Sequence, residues 1–159
     1  MICDTYDSPL GQIRLCCDGE NLTAVIFVGQ KYEGKHIPKD AEYGSHPVLE
    51  QTKEWLSQYF DGKIPSFLPP INLNGTPFQK RVWELLLEIP YGKTITYGEL
   101  AKTLECKSAQ AVGSAVGRNP ISVLIPCHRV VGADGTLTGY AGGVEKKEAL
   151  LKLEKDHLI

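Results

Sequence analysis

The most concentrated chemistry in this 159-residue chain is Pro126-Cys127-His128-Arg129, set between the apolar runs Val123-Leu124-Ile125 and Val130-Val131. A cysteine is a strong nucleophile only as its thiolate, and a neighbouring imidazole is the usual way to make one near neutral pH. The apolar flanks place such a thiol in a built cavity. Pro126 fixes its own φ and drives Ile125 toward extended geometry. Consecutive side chains of an extended segment point to opposite faces, so thiol and imidazole should not bond directly, and a water or a bend must join them. The competing reading is an inert thiol, because most free cysteines are small buried hydrophobes.

Two other stretches carry chemical information. A final helix from Val144 to Leu153 leaves Glu154 at its C-terminal end, where a carboxylate opposes the helix dipole. Either a specific partner or exposure to water must compensate. Gly139-Tyr140-Ala141-Gly142-Gly143 surrounds one tyrosine with small residues, a backbone that can bend tightly and lie against a planar ligand.

The elements that position these groups read as α+β. Met1 to Tyr6, Gln12 to Cys17 and Leu22 to Val28 form strands joined by short turns at Ser8-Pro9-Leu10-Gly11 and Asp18-Gly19, hence an antiparallel meander of three strands. Pro47 to Phe60 is an amphipathic helix, and the proline-rich stretch from Lys63 to Gly75 is a linker. The expected subdomains are therefore residues 1–70 and 76–159. In the second, Thr76-Pro77 starts a helix whose stripe is Phe78, Val82, Leu85, Leu86 and Ile89, and Thr96 and Ser108 cap two short helices around Glu105-Cys106-Lys107. That pair looks like a helix-turn-helix. Its second helix, Ala109 to Gly117, has no large side chain; only Gln110 and, beyond its end, Arg118 could reach bases. Small residues such as Ala109 and Gly113 suit either close packing on another helix or insertion into a narrow minor groove. Asp134-Gly135 predicts a hairpin turn.

Composition narrows the class. The chain carries 17 Lys and Arg against 19 Asp and Glu, a formal charge of −2, which argues against a general polyanion binder. Before Gly75 there are 6 basic and 10 acidic residues, and after it 11 and 9, so any nucleic-acid contact belongs to the second half. Five cysteines, an odd number, and the absence of a charged-then-apolar leader point to a reducing cytoplasm, and no apolar run would span a bilayer.

The segments Thr76-Pro77-Phe78-Gln79, Val82-Trp83, Ile89-Pro90-Tyr91-Gly92, Thr96-Tyr97-Gly98, Ala111-Val112-Gly113, Asn119-Pro120, Ile125 to Val131 and Gly139 to Gly143 together resemble the O6-alkylguanine-DNA alkyltransferases. The likeness covers nearly all of the second half in order, and in the first half rests on Asp7-Ser8-Pro9-Leu10-Gly11. It implies a ribonuclease H-like first subdomain and a winged-helix-like second one. It also implies repair by transfer of an alkyl group from guanine O6 to Cys127, once per molecule and without a cofactor or metal. By the same resemblance His128 takes the thiol proton through a water, Glu154 orients the imidazole, Asn119 bridges the turn between recognition helix and active site, and Tyr97 protonates the leaving guanine. The Val130 carbonyl, Tyr140 and Ala141 would line the base pocket. Ala109, Gln110, Gly113 and Arg118 would meet double-stranded DNA in the minor groove, with the damaged base flipped out and the protein acting as a monomer, alone or in rows along the duplex.

One departure stands out: Gln110 occupies the place of the family's intercalating arginine, and it lacks the charge and planar fork of a guanidinium. Some relatives hold zinc in the first half, for which Cys3, Cys16, Cys17, His36 and His46 are candidates, but they contain no CxxC pair. Two other functions compete: an alkylated-DNA sensor without transfer, in which such relatives replace the acceptor cysteine that this chain retains, and a cysteine hydrolase that turns over repeatedly.

Overall fold

The computed structural model describes residues 1–30, 33–137 and 140–157. The chain forms two compact units, Met1–Leu73 with Pro120–Ser122, and Asn74–Asn119 with Val123–Ile159. No helix among the described residues is long and apolar enough to cross a membrane.

In the first unit β1 (Ile2–Ser8), β2 (Gly11–Cys17) and β3 (Leu22–Phe27) make the antiparallel meander. The Ser8 hydroxyl donates to the Gly11 carbonyl across the first turn, and the Asp18 carboxylate accepts the Glu20 and Asn21 amides in the second. After α1 (Glu33–His36), a short β4 (Glu42–Tyr43) pairs parallel with β1, so the sheet has four strands in the order β3-β2-β1-β4 rather than three. Two residues are too few to show an alternation, and β4 exists only through its pairing. The helix α2 (Pro47–Phe60) buries Val48, Leu49, Thr52, Trp55, Leu56 and Tyr59, a stripe at helical spacing that packs on β1 and β2.

Cys3 and Cys16, considered above as zinc ligands, are instead joined by a disulfide. The β1–β2 register sets them directly opposite, with Cα atoms 4.1 Å apart, the close spacing of a pair that exchanges no backbone hydrogen bonds. With Ala24, Ile26 and Ile37 they form a small separate core. The stretch read as a linker is partly bound: Leu22 donates to the Pro70 carbonyl at 2.7 Å and accepts the Asn72 amide at 3.0 Å. Proline lacks a donor but keeps its carbonyl, so it can serve at this sheet edge. Pro120–Ser122 extends the same edge, with Val25 donating to Pro120 and accepting from Ser122.

The second unit contains α3 (Pro77–Leu86), β5 (Ile95–Thr96), α4 (Tyr97–Thr103), α5 (Ala109–Gly117), a 3-10 turn (Cys127–Arg129), β6 (Val130–Val131) and α6 (Val144–Asp156). Local chemistry fixes the helix starts. Thr76 with Gln79 and Thr96 with Glu99 form reciprocal capping boxes, and the Ser108 hydroxyl accepts the Ala111 amide. The helices α4 and α5 bury Leu100, Ala101, Val112, Ala115 and Val116. Ala115 is buried, and the Trp83 indole of α3 donates to its carbonyl at 2.8 Å. Asp134-Gly135 does form a turn, closed by Gly132 donating to the Thr136 carbonyl, but β6 pairs parallel with β5 and no hairpin follows among the described residues. Gly139 lies outside the described residues.

Candidate active site

Cys127 does not lie in an extended segment. Pro126 has φ −80° and ψ 64°, the centre of an inverse γ-turn, which the Cys127 amide closes on the Ile125 carbonyl at 2.8 Å. A 3-10 turn over Cys127, His128 and Arg129 follows, in which successive side chains fan about 120° apart instead of opposing one another. The bend required between thiol and imidazole is therefore built into the backbone. The proline supplies the φ that this turn needs. Upstream, Val123 is buried at φ 69°, a left-handed conformation costly to a β-branched residue, so the approach to the cysteine is held by its surroundings.

The Ile125 carbonyl accepts a second bond from the Asn119 side-chain amide, at 2.9 Å. Asn119 is itself buried, two residues beyond the end of α5, and also hydrogen-bonds the Cys127 sulfur. One side chain thus ties the end of α5 to the cysteine turn.

Glu154 is not at the helix end. The last helix continues to Asp156, and Glu154 lies fully buried in its final turn. Its Oε2 is 2.6 Å from Nε2 of His128, and Arg129 reaches it with Nε at 2.8 Å and with a terminal nitrogen at 3.1 Å. The Gly92 amide donates to Oε1 at 3.0 Å. The bonds from His128, Arg129 and the Gly92 amide offset its place near the negative end of the helix dipole. Burial pushes its pKa up, but the bonds and charges of His128 and Arg129 outweigh that and hold it down at about 2. Arg129 also donates to the Ile89 carbonyl at 2.6 Å and lies over the Tyr91 ring.

The fully buried His128 has its pKa lowered by burial, with the Glu154 bond acting in the opposite direction. The lowered pKa favours the neutral imidazole. With Nε2 carrying the proton toward Glu154, Nδ1 is the basic nitrogen. Burial also raises the Cys127 pKa, opposed by Asn119 and by the charge of Lys147.

Pairing of β5 with β6 sets Ile95 opposite Val130 and Thr96 opposite Val131, and Thr96 caps the helix that begins at Tyr97. The sheet thereby brings Tyr97 beside the cysteine turn, and its pKa is raised by burial and by the sulfur. Val130 and Tyr140 are buried and Ala141 is half-buried. On α5, Ala109, Gln110 and Ala111 are exposed, as is Arg118 at its end; Gly113 is half-buried with the Tyr97 ring nearby.

Two contributors were missed from the sequence. Arg129 was visible in the motif, but its pairing with Glu154 depends on tertiary structure. Lys147 is 1% exposed and donates to the Tyr97 hydroxyl at 3.4 Å. The signal for it was the spacing of Lys147, Leu150 and Glu154, which puts a lysine and a glutamate on the one buried stripe of α6.

Comparison with known proteins agrees over both units. Residues 1–73 match the family described as 6-O-methylguanine DNA methyltransferase, ribonuclease-like domain, and residues 77–156 match 6-O-methylguanine DNA methyltransferase, DNA binding domain. The methylated-DNA--protein-cysteine methyltransferase of Mycobacterium tuberculosis (strain ATCC 25618 / H37Rv) is 44% identical over 153 residues, 95% of this chain and 90% of that protein. The protein of the same name from Methanosarcina acetivorans is 46% identical over 150 residues, covering 94% and 95%. A crystal structure of Mycobacterium tuberculosis OGT in complex with DNA superposes with a TM-score of 0.89 at 41% identity, over 99% of this chain and 94% of that one. The chain belongs to the 6-O-methylguanine DNA methyltransferase family.

Proposed function

We infer that this chain binds DNA and repairs it by direct transfer of an alkyl group from guanine O6 to the sulfur of Cys127. The observation that carries the reading is the Glu154–His128 contact at 2.6 Å, one residue from a thiol held in a tight turn. His128 Nδ1 takes the thiol proton through a water, and Glu154 stabilises the imidazolium that forms. The thiolate then displaces guanine from the alkyl carbon. Tyr97 donates the proton that the leaving base needs, and the Val130 carbonyl, Tyr140 and the Ala141 amide contact the base.

Guanine O6 is inside the duplex stack, so the nucleotide is flipped, at least cost for a damaged pair. The exposed face of α5 enters the minor groove as a monomer, with Ala109 and Gly113 allowing close approach, Gln110 at the vacated space and Arg118 on phosphate. A thioether has no carbonyl for water to attack, so the thiol is not regenerated and each molecule acts once.

Duplex DNA carrying methyl-labelled O6-methylguanine tests the reading. Label should accumulate on protein and saturate at one equivalent. Binding without transfer would indicate a sensor, and release of label beyond one equivalent would indicate a hydrolase.

A further inference from the structure

We propose that Cys3 and Cys16 form a redox-sensitive staple: closed, the disulfide locks β1 to β2 beneath the segment 33–43, and a dithiol reductant opens it and loosens that segment. A chain that repairs DNA shares its compartment with thiol reductants, and disulfides there are mostly transient or redox-sensing. Reversibility thus rests on the repair reading, whereas the pairing rests on the sheet alone.

Strand register positions the two sulfurs. Cys3 lies directly opposite Cys16, between the pairs Ile2–Cys17 and Asp4–Leu15, so the bond can open and close with the ladder in place. Both side chains are fully buried against Ala24, Ile26 and Ile37, with Ala41 packed on the cluster. A free cysteine behaves as a small hydrophobe, so these apolar surroundings accommodate two thiols as well as one disulfide.

The segment above the bond is otherwise weakly held. Its described elements are α1, of four residues, and β4, of two. Cys3 anchors the end of β4 through its carbonyl, which accepts the Gly44 amide at 3.0 Å, and Glu42 donates to the Met1 carbonyl at 3.1 Å. Ile37 and Ala41 rest on the sulfur cluster, yet beside them opens a cavity of about 340 Å³ that Arg14, Lys39 and Tyr43 also line. Arg14 stands two residues before Cys16 and so on the same face of β2. A short segment with few buried contacts belongs to the low end of local stability, so it responds first when β1 loses its link to β2. It also covers the sulfurs, and a reductant reaches them when it lifts. The electron count balances. A dithiol gives two electrons and two protons to the bond through a mixed disulfide, leaving two cysteine thiols and a cyclic disulfide; oxidised glutathione reverses the change and departs as two reduced molecules.

The test incubates the folded chain with dithiothreitol or with oxidised glutathione, traps thiols with N-ethylmaleimide in denaturant, and reads each cysteine by peptide mapping. Cys3 and Cys16 should both carry label after dithiothreitol, yield a linked Cys3–Cys16 peptide after oxidised glutathione, and carry label again after a second reduction. Amide hydrogen exchange across residues 33–44 should be roughly tenfold faster in the reduced chain. Its unfolding equilibrium, from urea melts, should shift by roughly a hundredfold, the size expected of a link between residues 13 apart. Cys3→Ala combined with Cys16→Ala should match the reduced chain under both conditions, and if that variant fails to fold the reduced native chain supplies the same comparison. A pair that stays linked under dithiothreitol, or stays labelled after oxidation, overturns the switch. Equal exchange across 33–44 in the two states overturns the hold on that segment. A chain that transfers no methyl group overturns the repair reading instead, whatever the labels on Cys3 and Cys16 show.

Discussion

Glu154 and His128 meet at 2.6 Å in a fully buried contact, and the same carboxylate also takes Arg129 and the Gly92 amide. It therefore serves two purposes: it fixes which imidazole nitrogen is basic and neutralises a buried guanidinium. Removing it should damage both chemistry and stability.

Glu154→Gln keeps the shape and removes the charge. Transfer should slow by roughly 10²–10⁴, the usual contribution of a positioned base and its orienter. Because Arg129 then lies buried without its counter-charge, unfolding free energy should fall by about 3–5 kcal/mol. Urea melts and single-turnover transfer assays on the variant check both effects.

Stability should rise with pH across the acid range. Glu154 has a folded pKa of about 2 against 4.5 unfolded, so its contribution is complete above the unfolded value and is lost as pH falls toward the folded one. His128 has a folded pKa below 6.5, so the unfolded chain takes up its proton first, and folding is penalised as pH drops below 6.5. Both effects have the same sign. Denaturant midpoints between pH 7 and pH 3 should decline in two stages, the lower one missing in Glu154→Gln.

Asn119→Ala removes the side-chain bond to the Ile125 carbonyl and the contact with the sulfur. Each buried group left unsatisfied costs about 1–3 kcal/mol. Thermal stability should fall, and transfer should fall further than duplex affinity. Equal losses in binding and transfer would place Asn119 in the DNA contact instead.

Gln110→Arg should speed repair in duplex DNA and leave the reaction with free alkylguanine unchanged, because Gln110 is exposed on α5 and the role proposed for it arises only when a base must be held out. Equal rates on duplex substrate for both proteins would remove Gln110 from that role.

Much of this architecture was legible because it depends on local chemistry. Thr76, Thr96 and Ser108 mark three helix starts through their own side-chain bonds, and the 47–60 stripe sets both ends of α2. The two-residue strands β4, β5 and β6 were not legible, since they are defined only by partners distant in sequence. The same holds for Cys3 with Cys16, which become neighbours only once the register is set. Within the site, Cys127, His128, Asn119 and Tyr97 stood in recognisable motifs. Placing Glu154 required the helix to run past it, and Lys147 required α6 to be seen as buried on a charged stripe.

The central claim is that one particular sulfur is the acceptor, and peptide mapping by mass spectrometry tests it most directly. After reaction with excess O6-methylguanine duplex, one methyl group should be found on the peptide containing Cys127, with none on those of Cys17 or Cys106, and Cys127→Ser should bind the duplex without gaining mass. Methylation of Cys17 or Cys106, or full transfer by Cys127→Ser, would contradict it.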